Sequence, residues 1–213
     1  MGLFQTGQGW KDILTITLPV LAAWVGTVLA FYFTKENFEA ANSSVRKMVN
    51  QMSPQDRLKA ISVKEVMNRR PHITGIKLEK NKTEDKVSLT VDIIGLFKDK
   101  VTRLPIFTET DAAKYVIHES LAYKFVYEHR IAKKDPTLQP NLQDLLNNPA
   151  DKEWMTALAF VKETDSLADA QERMKQVPKC QDIFVTKNGQ SGEPVLGWIT
   201  NAAIAKEVEF REP

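Results

Sequence analysis

With 213 residues, 29 of them basic and 27 acidic, the chain carries a formal net charge of only +2. That length holds one sizeable domain, or two small ones behind an anchor. No basic block is dense enough to follow a phosphate backbone, so the composition argues against a nucleic-acid partner. The single cysteine, Cys180, excludes an intrachain disulfide framework and fits a reducing compartment. Beside an apolar run it reads as a small core hydrophobe rather than a nucleophile.

Residues 1–34 form a short tail and an apolar segment. The stretch 13–33, ILTITLPVLAAWVGTVLAFYF, has no charged residue. As a helix rising 1.5 Å per residue it spans a hydrocarbon core of about 30 Å. Trp10, Trp24 and Tyr32 supply interfacial aromatic character, and Pro19 is tolerable where a neighbour or a bend satisfies the freed carbonyl. A cleavable signal would need a basic leader and a small-residue cleavage site, and an in-plane helix a polar face; the segment has neither. It is therefore expected to cross the lipid bilayer once. Lys35, Arg46 and Lys47 on its C-terminal side outweigh Lys11, which Asp12 offsets, and put the C-terminal bulk in the cytoplasm. Met1-Gly2-Leu3-Phe4-Gln5-Thr6 also fits the loose myristoylation pattern, which a spanning helix makes redundant.

Residues 35–60 read as a helical stalk. Phe38, Val45, Met48, Val49 and Met52 make a partial apolar stripe, broken at Ser53-Pro54, where proline can open a new helix. Two readings fit: a solvated spacer, or a helix that pairs with its own copy.

The remainder repeats itself at a period of about 80 residues. Ser62-Val63-Lys64-Glu65-Val66-Met67-Asn68 before Pro71 matches Asn141-Leu142-Gln143-Asp144-Leu145-Leu146-Asn147 before Pro149. A strand-like run follows each, 73–78 in the first copy and 156–161 in the second. Next comes an amphipathic helix, carried by Val87, Val91, Ile94 and Leu96-Phe97 in one copy and by Leu167, Ala170 and Met174 behind a Thr164 or Asp165 cap in the other. Each copy then closes with two strands and a helix start. These are Arg103-Leu104-Pro105-Ile106-Phe107 with Tyr115-Val116-Ile117-His118, and Gln181-Asp182-Ile183-Phe184-Val185 with Gly197-Trp198-Ile199-Thr200. Each copy, 61–131 and 132–213 with its linker, thus reads as strand, helix, strand, strand, helix.

That order, with its V-K-E-V-M opening and R-L-P-I-F strand, resembles the CBS domain, named after cystathionine β-synthase. The resemblance covers residues 62–209. It implies an α/β fold: a tandem CBS-like module of two β-α-β-β-α repeats, here behind a single transmembrane helix, and the module is expected to pair as a homodimer. Such pairs hold an adenosine nucleotide in the cleft between copies and regulate an attached enzyme, channel or transporter. Thr74, Arg103, His118, Glu119, Thr156, Thr200 and Asn201 would line that cleft here. The family's ribose motif ends in Asp; Ala203 stands there in Gly197-Trp198-Ile199-Thr200-Asn201-Ala202-Ala203, and Leu121 in the first copy, where His118 also replaces the threonine. Losing a charged acceptor costs about ten- to a hundredfold in affinity. Two functions remain: a non-catalytic regulatory module that docks a protein partner of unknown identity, or a ligand-sensing subunit gating a separate channel, transporter or enzyme, with an adenine nucleotide as the possible ligand and no other cofactor.

His72, His118 and His129 are too scattered for a metal set, and no nucleophile elbow or phosphate loop is present, so no catalytic or metal residues are assigned. In the helix beyond His118, the aromatics at 123, 125 and 127 cannot all share one face. Tyr123 and Tyr127, beside basic residues, are the candidate partner surface.

Overall fold

The apolar N-terminal segment is the start of a longer helix. In the computed structural model, which describes residues 6–51, 53–98 and 101–209, α1 runs unbroken over Thr6–Gln51 with Pro19 inside it. Thr15–Glu39 is long and apolar enough to cross a membrane, and every side chain in it is exposed. Thr27 and Thr34 donate their hydroxyls to the carbonyls of Ala23 and Ala30 (2.8 and 2.7 Å), so neither hydroxyl needs water. The described side chains of this helix are those of residues 15–39. Trp10, Lys11, Asp12, Arg46 and Lys47, the stripe positions Val45, Met48, Val49 and Met52, and the Met1-Gly2 pattern lie outside them.

The chain divides into two units, Met1–Met52 and Ser53–Pro213. The second unit begins as Pro54 predicts. Ser53 caps α2 (Pro54–Ala60), its Oγ accepting from the Asp56 N–H at 3.2 Å. Leu58 of α2 is buried, so residues 53–60, expected as the end of the stalk, are part of this folded unit.

The duplication is real and the two copies are interlocked. After α3 (Val63–Val66), β1 (Asn68–Arg69) and β2 (Ile76–Lys77), the first copy continues with β3 (Arg103–Phe107), β4 (Ala113–His118) and α4 (Glu119–Lys133). The second has α5 (Leu142–Leu146), α6 (Pro149–Thr156), β5 (Leu158–Lys162), α7 (Leu167–Gln176), β6 (Asp182–Thr186), β7 (Val195–Thr200) and α8 (Asn201–Val208). In the first sheet, β2 lies parallel to β3 and β3 antiparallel to β4; in the second, β5 lies parallel to β6 and β6 antiparallel to β7. Both antiparallel pairs slip register at the same place, between Ile106 and Phe107 and between Val185 and Thr186. β1 belongs by sequence to the first copy but pairs with β7 of the second. Gly197 permits that approach, because a Cβ there would run into the Met67 side chain.

The opening helices are exchanged in the same way. Leu58, Val63 and Met67 pack into the second core with Val161, Leu167, Ile183 and Ile199. Leu142, Leu145 and Leu146 pack into the first with Val87, Leu89, Ile106 and Ile117. Matching backbone bonds fix the two exchanges: Val63 N–H to Asp165 O and Leu167 N–H to Ile61 O (both 2.9 Å), against Leu142 N–H to Val87 O and Leu89 N–H to Pro140 O (2.8 and 2.9 Å). A third cluster joins the sheets, with Phe184 edge-on to Phe107 and stacked on Trp198.

Two expected elements differ. The amphipathic helix of the first copy is a single π turn (Leu89–Ile93) followed by a 3-10 turn (Ile94–Leu96), and Val91 is 67% exposed rather than part of the core. The β-branched run Thr90, Val91, Ile93 and Ile94, followed by Gly95, opposes a regular helix, whereas α7 has strong formers behind a Ser166–Asp169 capping box. In the second copy the strand expected over 156–161 is β5, and Thr156 instead ends α6.

Candidate functional site

The strand positions that open each copy's second half meet at the centre of the unit. Arg103 faces His118 across β3 and β4, and Asp182 faces Thr200 across β6 and β7. Arg103 and Asp182 occupy equivalent places in the two copies, and they are bound to each other. Asp182, with a side chain only 3% exposed, accepts at Oδ1 from Arg103 Nη1 and from the Trp198 indole N–H, both at 3.0 Å. His118 Nε2 lies 3.4 Å from its Oδ2. The rest of the Arg103 fork is equally committed. Nη1 also donates to Gln181 O (3.0 Å), and Nη2 to Gln181 Oε1 (3.3 Å) and Asn201 Oδ1 (2.8 Å). A buried carboxylate needs such partners, because an uncompensated charge there is prohibitively costly.

A cleft lies on either side of this knot. The first, about 320 Å³, is lined by His72 and Thr74 from the opening segment, Thr102 and Arg103 from β3 and its approach, and Trp198 and Thr200 from β7. The second, about 340 Å³, is lined by His118 and Lys124 on one side and by Asp151 and Trp154 of α6 on the other, with Gln181 at its edge. The two are related by the repeat but roofed differently: a 3-10 turn (Arg70–His72) covers one and the helix α6 the other. Partial burial pushes the Asp151 carboxyl up, with Lys124 opposing it. Cys180 is half-buried, its thiol pushed up by burial while it donates to Asp182 O at 3.3 Å, which fits a packing role.

Of the residues expected to line one cleft, the structure brings Thr74, Arg103 and Thr200 together in the first and adds Asn201 through its bond to Arg103. His118 lies in the second. Glu119 opens α4, its N–H bonded to Thr102 O at 2.9 Å, as Asn201 N–H bonds Gln181 O at 2.9 Å in the other copy. Thr156 is exposed and lines neither cleft; its hydroxyl bonds back to Lys152 O at 2.8 Å. The Thr200 oxygen caps α8 through the Ala203 N–H at 3.2 Å. Ala203 and Leu121, at the positions lacking the ribose carboxylate, pack against the second and first cores. Asp182, Trp198 and Trp154 were not anticipated. Aligning the two strand starts places Asp182 at the position equivalent to Arg103, but their contact is visible only in the fold.

On α4, Tyr123 and Tyr127 are 49% and 68% exposed, and Ile131 extends their line, while Phe125 turns inward and stacks on His129. No group of three or more His, Cys, Asp or Glu side chains is placed to hold a metal among the described residues.

No family profile and no curated protein matches the sequence. The fold does match solved structures. The CBS domain of the bacterial CNNM/CorC family Mg2+ transporter, in complex with an inhibitor, is similar at 15% identity with a TM-score of 0.50, over 84% of this chain and 99% of that one. The same family's CBS domain in complex with ATP (16%, TM-score 0.49, 71% and 89%) is also similar. So is the CBS domain of a putative transporter from Clostridium difficile 630 (19%, TM-score 0.45, 70% and 93%). The second unit has the mixed α/β fold of a CBS pair, with a three-stranded and a four-stranded sheet.

Proposed function

We propose that the chain is a membrane-anchored, non-catalytic regulatory protein whose CBS-like pair docks a partner protein at the cytoplasmic face. The observation that carries this reading is the Arg103–Asp182 knot. It commits the guanidinium that a ligand phosphate would otherwise meet, in a module whose ribose positions are Ala203 and Leu121. Thr15–Glu39 supplies the bilayer anchor, Lys35 and its basic neighbours orient it, and the module pairs with a second copy. Tyr123 and Tyr127 on α4 offer exposed aromatic anchors of the kind that carry protein interfaces. Full-length protein drawn from cells in mild detergent should bring a partner with it, and Tyr127→Ala should cut that recovery about tenfold while leaving the melting temperature unchanged. Equal recovery by the variant would argue against this surface.

The alternative, an adenine-nucleotide sensor gating a separate channel, transporter or enzyme, draws on the first cleft. There the Trp198 ring and the Thr200 hydroxyl stand ready for a base and a ribose. It requires Arg103 to leave Asp182.

A further inference from the structure

Tyr123, Tyr127 and Ile131 stand at i, i+4 and i+8 on α4 and form the wall of a groove of about 540 Å³, floored by Val126 and closed by Pro136. Lys134, in the left-handed region at φ 51°, ends the helix and turns the chain back under the groove. The charges around it are unbalanced. Lys124 and Glu128 neutralise each other at 3.9 Å. Asp135 spends its carboxylate inside the turn, accepting from the Thr137 N–H and hydroxyl at 2.8 and 2.6 Å, which hold its pKa low. Arg130 donates from Nε to Leu138 O at 3.0 Å and helps keep Asp135 ionised, while Lys133 and Lys134 have no acidic partner among the described residues, so three cations face one carboxylate and the rim is net positive. Cations suit a helix C-terminus, which accounts for their sign. It does not account for three large apolar side chains in line beside them.

We infer that this groove receives an acidic amphipathic segment of the partner protein: apolar side chains against Tyr123, Tyr127 and Ile131, with flanking carboxylates on Arg130, Lys133 and Lys134. The inference rests on the docking reading above and deepens it. An apolar stripe at helical spacing beside a net-positive rim is the complement of a helix with an apolar face and acidic edges. The central aromatics give affinity, and the rim selects against basic partners.

Fluorescence anisotropy on the detergent-solubilised full chain tests it with two labelled amphipathic peptides sharing one Leu/Phe face, one flanked by Glu and one by Lys. The Glu peptide should bind at least about tenfold more tightly, lose that binding in Tyr127→Ala, and give way to the Lys peptide in Lys133→Glu/Lys134→Glu. Equal binding of the two peptides, or Glu-peptide binding indifferent to Tyr127→Ala, would overturn it. A partner recovered from cells in a Tyr127-dependent manner, yet insensitive to Lys133→Glu/Lys134→Glu, would overturn the acidic class while leaving the docking reading intact. The bilayer as occupant is read with Tyr127→Trp in nanodiscs of brominated phosphatidylserine. Extra quenching relative to the unsubstituted chain would assign the face to lipid and overturn the inference.

Discussion

Arg103→Ala is expected to destabilise the CBS-like unit by about 3–5 kcal/mol, the usual cost of stranding one member of a buried ion pair. Asp182 would remain almost fully buried, its carboxylate left with the Trp198 indole and the more distant His118 ring. Gln181 and Asn201 would also lose the donor that ties β3 of one copy to the β6 approach and the α8 start of the other. The double replacement Arg103→Met/Asp182→Leu removes both charges and should recover most of the loss, because apolar groups of similar volume need no pairing. Urea unfolding of the unsubstituted chain, Arg103→Met, Asp182→Leu and the double replacement completes the cycle. A loss below about 1 kcal/mol for Arg103→Ala would mean that the pair behaves as a solvent-exposed one and does not hold the copies together.

Leu58→Ala and Leu145→Ala should each cost about 2–5 kcal/mol, as for other fully buried leucines truncated to alanine. Their location makes them informative. Leu58 precedes the first copy in sequence but packs with Val161, Leu167 and Ile199 of the second. Leu145 belongs to the second and packs with Val87, Leu89 and Ile106 of the first. Hydrogen exchange should therefore show Leu58→Ala loosening β5, β6, β7 and α7, and Leu145→Ala loosening β2, β3 and β4. Loosening confined to each residue's own copy would contradict the exchange. The exchange also means that neither copy can complete its core alone, so a chain cut in the 134–141 linker is expected to fold only when both halves are present.

The repeat, the order of its strands and the apolar span were legible in the sequence because each rests on local pattern. Alternating or continuous apolar runs bounded by turn residues marked β3, β4, β6 and β7, and Ser53-Pro54 marked the start of α2. What stayed hidden depends on contacts distant in sequence. Nothing local says that Asn68 pairs with Trp198 rather than with its own copy, or that Arg103 ends on Asp182. The expected helix through Val91 failed because apolar spacing outweighed propensity in the reading, while in the fold the β-branched run and Gly95 prevailed. Pro149 opens α6 at its first turn and the helix runs to Thr156, so the strand expected from 156 starts only at Leu158. The α4 aromatics were legible as a surface, since only i, i+4 positions share a face and Phe125 had to turn away from Tyr123 and Tyr127.

If the module acts through a partner protein, Arg103 stays on Asp182 and Asn201 and the adjoining cleft holds no nucleotide. A thermal-shift titration of the full-length protein with AMP, ATP, S-adenosylmethionine and cyclic dinucleotides tests this most directly, because any ligand that binds the folded state raises its melting temperature by mass action. The melting temperature should stay unchanged at millimolar concentrations of every one of them. A saturable rise with any nucleotide, abolished by Thr200→Ala, would show the cleft open to ligand and contradict the account.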